Sequence, residues 1–139
     1  MKRRYPDAPI VGVSALVIRK DKVLLVRRGK EPDRGRWSIP GGVIETGETI
    51  ENALKREVFE ECGVKIRVKQ LLDVVEKIFF DSQGKAEFHY ILLSYLADYL
   101  EGDIHPASDV LEVKWVGKED IEKLDVIESV LKVLKEFFT

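Results

Sequence analysis

The chain has 139 residues, 45% of them hydrophobic and 35% charged, with a formal net charge of −2. That length suits one domain, spanning residues 1–139, that buries roughly two-thirds of its unfolded surface. The charge balance is too small to argue for a nucleic-acid groove, and no apolar run approaches the ~20 residues of a membrane helix. The opening MKRRYPDAP has bases with no apolar core behind them, so it does not read as a secretory leader. The single cysteine, Cys62, can make no internal disulfide, which points to the cytoplasm. Many charges beside few thermolabile residues (Asn52, Gln70, Gln83, one Cys, one Met) give the compositional lean of a thermophile protein.

Residues 10–18 (IVGVSALVI) form an apolar, β-branched run that predicts a buried strand. A polar turn at Arg19-Lys20-Asp21-Lys22 leads to a second strand over 23–26, giving a hairpin. Residues 27–36 read as a loop, broken by Gly29, Pro32 and Gly35 and lined by five bases. Residues 37–40 predict a short extended piece ending at Pro40. Thr49 is placed to cap a helix running to about Cys62, with the apolar stripe Ile50, Leu54, Val58 and Cys62 and an αL cap at Gly63.

Residues 64–75 predict a strand that 77–80 can prolong. A hairpin turn at Asp81-Ser82-Gln83-Gly84 precedes a long strand over 86–97. After a loop over 98–108 come a short strand at 112–116 and a short helix at 118–124. An amphipathic helix over 126–138 closes the chain, with Val130, Leu131, Leu134 and Phe138 on its apolar side. Strands on both sides of a helix, and a helix at the end, predict an α+β layered domain.

Charge is unevenly placed. Residues 1–36 hold eleven bases against four acids, a balance of +7. The stretch 41–64 (GGVIETGETIENALKREVFEECGV) holds six glutamates against Lys55 and Arg56, a balance of −4. Glu57, Glu60 and Glu61 stand at i, i+3 and i+4, so a helix brings their carboxylates to one side, and something must offset the repulsion. A divalent cation is the simplest candidate, since hard ions take oxygen ligands. A basic front followed by an acidic helix suggests a negative ligand held between cations, some of them metal ions.

These residues resemble the Nudix box, G-x5-E-x7-R-E-U-x-E-E-x-G-U, where U is a bulky aliphatic residue. Gly42, Glu48, Arg56, Glu57, Val58, Glu60, Glu61, Gly63 and Val64 fill it without gap or substitution. The resemblance implies a mixed sheet sandwiched between the box helix and the terminal helix, in an α/β/α arrangement. It also implies a Mg²⁺-dependent hydrolase (Mn²⁺ being the alternative) of a nucleoside diphosphate linked to another moiety, with a homodimer as a further possibility.

By the family pattern, Glu60, Glu61, Glu57 and the Gly41 carbonyl are metal ligands, with Glu57 alternatively a proton acceptor. Arg56 orients a box carboxylate, and Glu48 supports the ligands from outside. The general base lies in the box or before the last strand, which leaves Glu57, Glu112 and Asp109 as candidates. Arg27, Arg28 and Arg36 are candidates to grip a distal phosphate or ribose, against a reading as solvated loop cations. Trp37 and Tyr5 are candidates to stack on a base, although Trp37 also suits packing under the box.

The run RRGKEPDRGRWSIPGG resembles the small ADP-ribose pyrophosphatase-like and MutT-like members, so ADP-ribose is the expected substrate. An oxidised nucleoside triphosphate, or nucleotide sensing without turnover, is the alternative. Many ADP-ribose members carry a proline some fifteen residues past the box, where this chain has Phe79 and Phe80.

Overall fold

The computed structural model describes residues 2–138. Strands β1 (Ile10–Arg19) and β2 (Lys22–Arg28) form the first hairpin, closed across Arg19 and Lys22 with Lys20 at φ 57°. Short strands β3 (Trp37–Ser38) and β4 (Gly41–Val43) precede helix α1 (Ile50–Cys62). Then follow β5 (Lys65–Phe80), β6 (Ala86–Glu101), β7 (Val110–Gly117), a 3-10 turn (Lys118–Lys123) and α2 (Glu128–Phe137).

All seven strands join one sheet among the described residues, with β1 and β6 parallel and the other pairs antiparallel. β5 runs unbroken to Phe80 and β6 outruns expectation because the two pair with each other over nearly their whole length, from Lys65↔Glu101 to Phe80↔Ala86. Cross-strand pairing carries the ladder past the residues whose own pattern is strand-like.

β1 explains its own apolar run. Val13, Ala15 and Val17 point into a core shared with α1, while Leu16 points into a second core shared with α2. A strand covered on both faces loses the alternation of a half-exposed one. The layers are thus helix, mixed sheet and helix, as the box resemblance implies. On α1 the buried residues are Ala53, Leu54, Val58 and Cys62; on α2 they are Val130, Val133 and Leu134, so Ala53 and Val133 join the expected stripes.

One irregularity builds the site. β2 pairs with β1 only at Ile18 and Arg19, then diverges to run along β7. β4 fills the gap, pairing Gly12, Val13 and Ser14 with Val43, Gly42 and Gly41. The glycine pair is therefore inserted into a split in the sheet, directly beneath α1.

Candidate active site

Helix α1 begins as its sequence demands. The Thr49 hydroxyl accepts from the Asn52 amide at 3.1 Å, and Gly63 ends the helix at φ 80°, where a side chain would be strained. Between these caps, one arginine gathers three carboxylates. Arg56 donates to both Glu48 oxygens at 2.6 and 2.8 Å, to Glu57 Oε1 at 2.7 Å and to Glu60 Oε2 at 3.4 Å. Its Nη2 also reaches the Val43 carbonyl at 3.2 Å, tying the helix to β4. The repulsion expected among Glu57, Glu60 and Glu61 is thus already offset at the first two by this fork, which also takes in Glu48. Arg56, with the Glu45 amide behind it, holds the Glu48 carboxyl down to about 2.

Glu61 is different. It lies outside the Arg56 fork, and its Oε1 accepts from the Gly41 amide at 2.9 Å. Burial pushes its carboxyl up to about 8, opposed by that amide and reinforced by the neighbouring charges of Glu57 and Asp109. Glu57 is also raised, chiefly by burial, with Arg56 pulling the other way. The Glu57 carboxyl lies against Gly42, where any Cβ would collide with it.

The strand register adds a third oxygen. Ala15 donates to Pro40 and Ile44 to Val11, so Gly41 falls at a non-hydrogen-bonded position of the β1–β4 ladder. Its amide turns away from β1 to Glu61, and its carbonyl turns to the same side. Two crowded carboxylates and an outward carbonyl, all hard oxygen donors, fit a divalent cation. Among the described residues, no three acidic, His or Cys side chains already stand in coordinating geometry.

A cleft of about 160 Å³ opens beside these groups, between the split sheet and the first turns of α2. Gly41, Gly42 and Glu61 border it on the box side, with Arg28, Lys30 and Asp109 along one flank. Its floor carries Ser14 and Ser94, whose hydroxyls lie 2.9 Å apart across the parallel β1–β6 pair. Lys77 and Tyr90 face each other across β5 and β6 and both line it. Lys77 lies 3.7 Å from Asp33, and burial lowers its pKa despite that partner.

The expected substrate residues divide. Arg28 lines the cleft, its Nε donating to the Pro32 carbonyl at 2.8 Å. Arg27 donates to the Gly35 carbonyl at 3.0 Å and lies 3.8 Å from Glu112, away from the cleft. Arg36 is committed to the start of α2, with Glu128 at 2.9 Å, Asp125 at 3.3 Å and Asp33 at 3.4 Å. Trp37 is only 5% exposed and packs in the α2 core, so it cannot stack on a base. Tyr5 is turned to the β5–β6 turn, its hydroxyl donating to Asp81 at 2.8 Å.

Glu112 also needs correction. It lies within β7 opposite Arg27, two residues past the start of that strand at Val110, and does not line the cleft. Asp109, the other candidate outside the box, does line it. The residues overlooked are Ser14, Ser94, Lys77 and Asp33. A serine inside each of two apolar runs, and a lysine between strand hydrophobics, were their signals.

A model of the NUDIX domain matches residues 8–137. The chain is 31% identical over 129 residues to the ADP-ribose pyrophosphatase of Methanocaldococcus jannaschii, covering 93% of this chain and 73% of that one. It is 32% identical over 137 residues to the NAD-capped RNA hydrolase NudC of Edwardsiella ictaluri, but spans only 49% of that protein's length. The solved structure of a MutT NUDIX hydrolase from Burkholderia pseudomallei matches with a TM-score of 0.79 at 28% identity, covering 93% of this chain and 98% of that one. With its box complete and its sheet split beneath the box helix, this chain belongs to the Nudix hydrolase family, pyrophosphohydrolases that generally depend on a divalent metal and act on nucleotide substrates.

Proposed function

We propose that this chain hydrolyses ADP-ribose to AMP and ribose 5-phosphate, with Mg²⁺ as its cation. The observation that carries the reading is the lining of the cleft. Hydroxyls of Ser14, Ser94 and Tyr90 and charges of Lys77 and Asp33 stand where the sheet opens onto the box. A ribose needs several such polar partners, whereas a modified base needs an aromatic-lined slot. Among the described residues Tyr90 is the one aromatic side chain that borders the cleft. The likeness to the Methanocaldococcus jannaschii ADP-ribose pyrophosphatase supports the same choice.

Roles follow from position. Glu57, Glu60, Glu61 and the Gly41 carbonyl would hold the cation. Bound Mg²⁺ supplies charge neutralisation for the diphosphate and acidifies the attacking water. Glu57, fixed by Arg56, accepts the proton of that water. The new P–O bond forms in line as the bridging P–O bond breaks, and the departing phosphate monoester leaves with its electron pair. Arg28 and Lys77 steady the phosphates and the distal ribose, and Asp109 stands ready as a further acid beside Glu61.

Turnover with Mg²⁺ on ADP-ribose, sugar nucleotides, dinucleoside polyphosphates, NAD-type dinucleotides and oxidised nucleoside triphosphates tests the substrate. ADP-ribose should be cleaved best, and Glu61→Gln should abolish that cleavage. Preferred cleavage of an oxidised triphosphate would overturn the substrate, and nucleotide binding without turnover would overturn the hydrolytic reading.

A further inference from the structure

Among the described residues, three of the four cations that line the cleft already have a partner within the chain. Arg28 donates to Pro32, Lys30 pairs with Asp109 at 2.7 Å, and Lys77 pairs with Asp33. Arg3 is the exception: among the described residues, no hydrogen bond or ion pair engages its guanidinium. It borders the main cleft on one side and, on the other, a hollow formed by residues 43–46 and Glu57. Its charge is felt at the Glu57 carboxyl.

This position is built by the residues beside it. The Tyr5 amide donates to the Glu87 carbonyl at 2.7 Å, and Arg4 Nε donates to the Glu87 carboxylate at 2.6 Å. The Tyr5 hydroxyl bonds Asp81, whose other oxygen accepts from the Gln83 and Lys85 amides at 2.9 Å each. Lys85 also lies 5.1 Å from the Tyr5 ring centroid. Tyr5 holds φ 52°, an uncommon value for a residue with a side chain, and these contacts offset its cost. A segment without regular structure is thereby pinned across the β5–β6 turn, with Arg3 directed to the junction of cleft and box.

We propose that Arg3 is a substrate-binding residue, whose free guanidinium receives the diphosphate of a nucleoside-diphosphate ligand where the cleft meets the box helix. The ligand class rests on the hydrolase reading above; the position of Arg3 does not. A guanidinium offers a planar fork matched to two phosphate oxygens, which an ammonium cannot copy. Tyr5 acts through Arg3 as a positioning residue.

The test titrates ADP in Mg²⁺ by calorimetry into wild type, Arg3→Ala, Arg3→Lys, Tyr5→Phe and the Arg3→Ala/Tyr5→Phe double variant, at two salt concentrations. Turnover of ADP-ribose and melting temperature are measured on the same preparations. Arg3→Ala should weaken ADP about tenfold, the scale of a charge-assisted hydrogen bond, and flatten the salt dependence. It should raise KM similarly while kcat and melting temperature hold. Arg3→Lys should fall between. Tyr5→Phe should cost less, and nothing further once Arg3 is gone. Equal ADP affinity in wild type and Arg3→Ala, or no ADP binding by wild type, overturns the assignment. If the Arg3 effect appears although wild type cleaves no ADP-ribose, the phosphate-binding role stands and the substrate reading fails.

Discussion

The box helix and the cleft beside it handle charge in opposite ways. On α1, Arg56 draws Glu48, Glu57 and Glu60 into one internally neutralised cluster, and every partner lies within a short stretch of chain. In the cleft, Ser14, Asp33, Lys77, Ser94 and Asp109 come from five separate segments, and Glu61 is left half-buried against a single amide. The first arrangement holds itself together; the second is arranged for something that arrives. Neighbouring carboxylates proposed to share one cation are therefore held differently, Glu57 and Glu60 by an arginine and Glu61 by a backbone amide.

That contrast breaks most sharply at Glu61. Glu61→Gln should lower turnover roughly 100- to 1000-fold, the scale seen when one preorganised electrostatic partner is removed. The metal-free variant should nonetheless melt no lower than wild type, because the lost charge is one that burial disfavours. Assays and calorimetry on one preparation check both halves, and a large drop in melting temperature would place Glu61 with the structural cluster.

Arg56→Ala should fail on both counts. Turnover should fall about 10- to 100-fold as the supports of the ligands loosen. Stability should fall by about 2 kcal/mol, since three carboxylates lose a charged hydrogen-bond donor. Denaturant melts at low and high salt provide the check, because screening should return part of the loss.

Lys77→Met keeps the length of the side chain and removes only its charge. KM for ADP-ribose should rise about tenfold with kcat nearly constant, and Asp33 should stay in place through Arg36. Steady-state kinetics decide it: a fall in kcat alone would move Lys77 into the reacting end of the site.

A further effect is a slope with pH. Glu61 ionises near 4.5 when unfolded and near 8 when folded. The folded state thus holds more protons between those values, and its stability should be full below the first and decline as pH rises through the second. Metal-free protein should melt progressively lower from pH 5 to 8, Mg²⁺ should reverse that trend, and Glu61→Gln should flatten it.

The same contrast explains what was legible in the residues alone. The box, its caps at Thr49 and Gly63, and the β5–β6 turn at Asp81 depend on neighbours in sequence, so local pattern suffices. Long-range pairing decided the rest. Glu112 reads as the first residue of a short strand until β7 is seen to begin at Val110 and run against β2, setting it opposite Arg27. Arg36 reads as a ligand contact in a basic loop and Trp37, just past it, as a stacking or packing residue, but the start of α2 docks there: Trp37 bonds Asp125 and Ile127 through its backbone. Ser14 and Ser94 each sit inside an apolar run with nothing local to link them, and the parallel register sets them side by side.

That parallel register has a consequence for how the chain acquires its shape. Every β1–β6 partner, from Ile10↔Tyr90 to Ile18↔Asp98, is eighty residues away, and the Ser14–Ser94 pair shares that separation. Contacts so remote must wait for a large loop to close, and such closure slows folding. On the ribosome, β1 emerges early, yet its long partner follows only after the box helix has been made. Until then an apolar strand that will be buried on both faces waits with one side uncovered, and this interval is when the newborn chain is most exposed to aggregation.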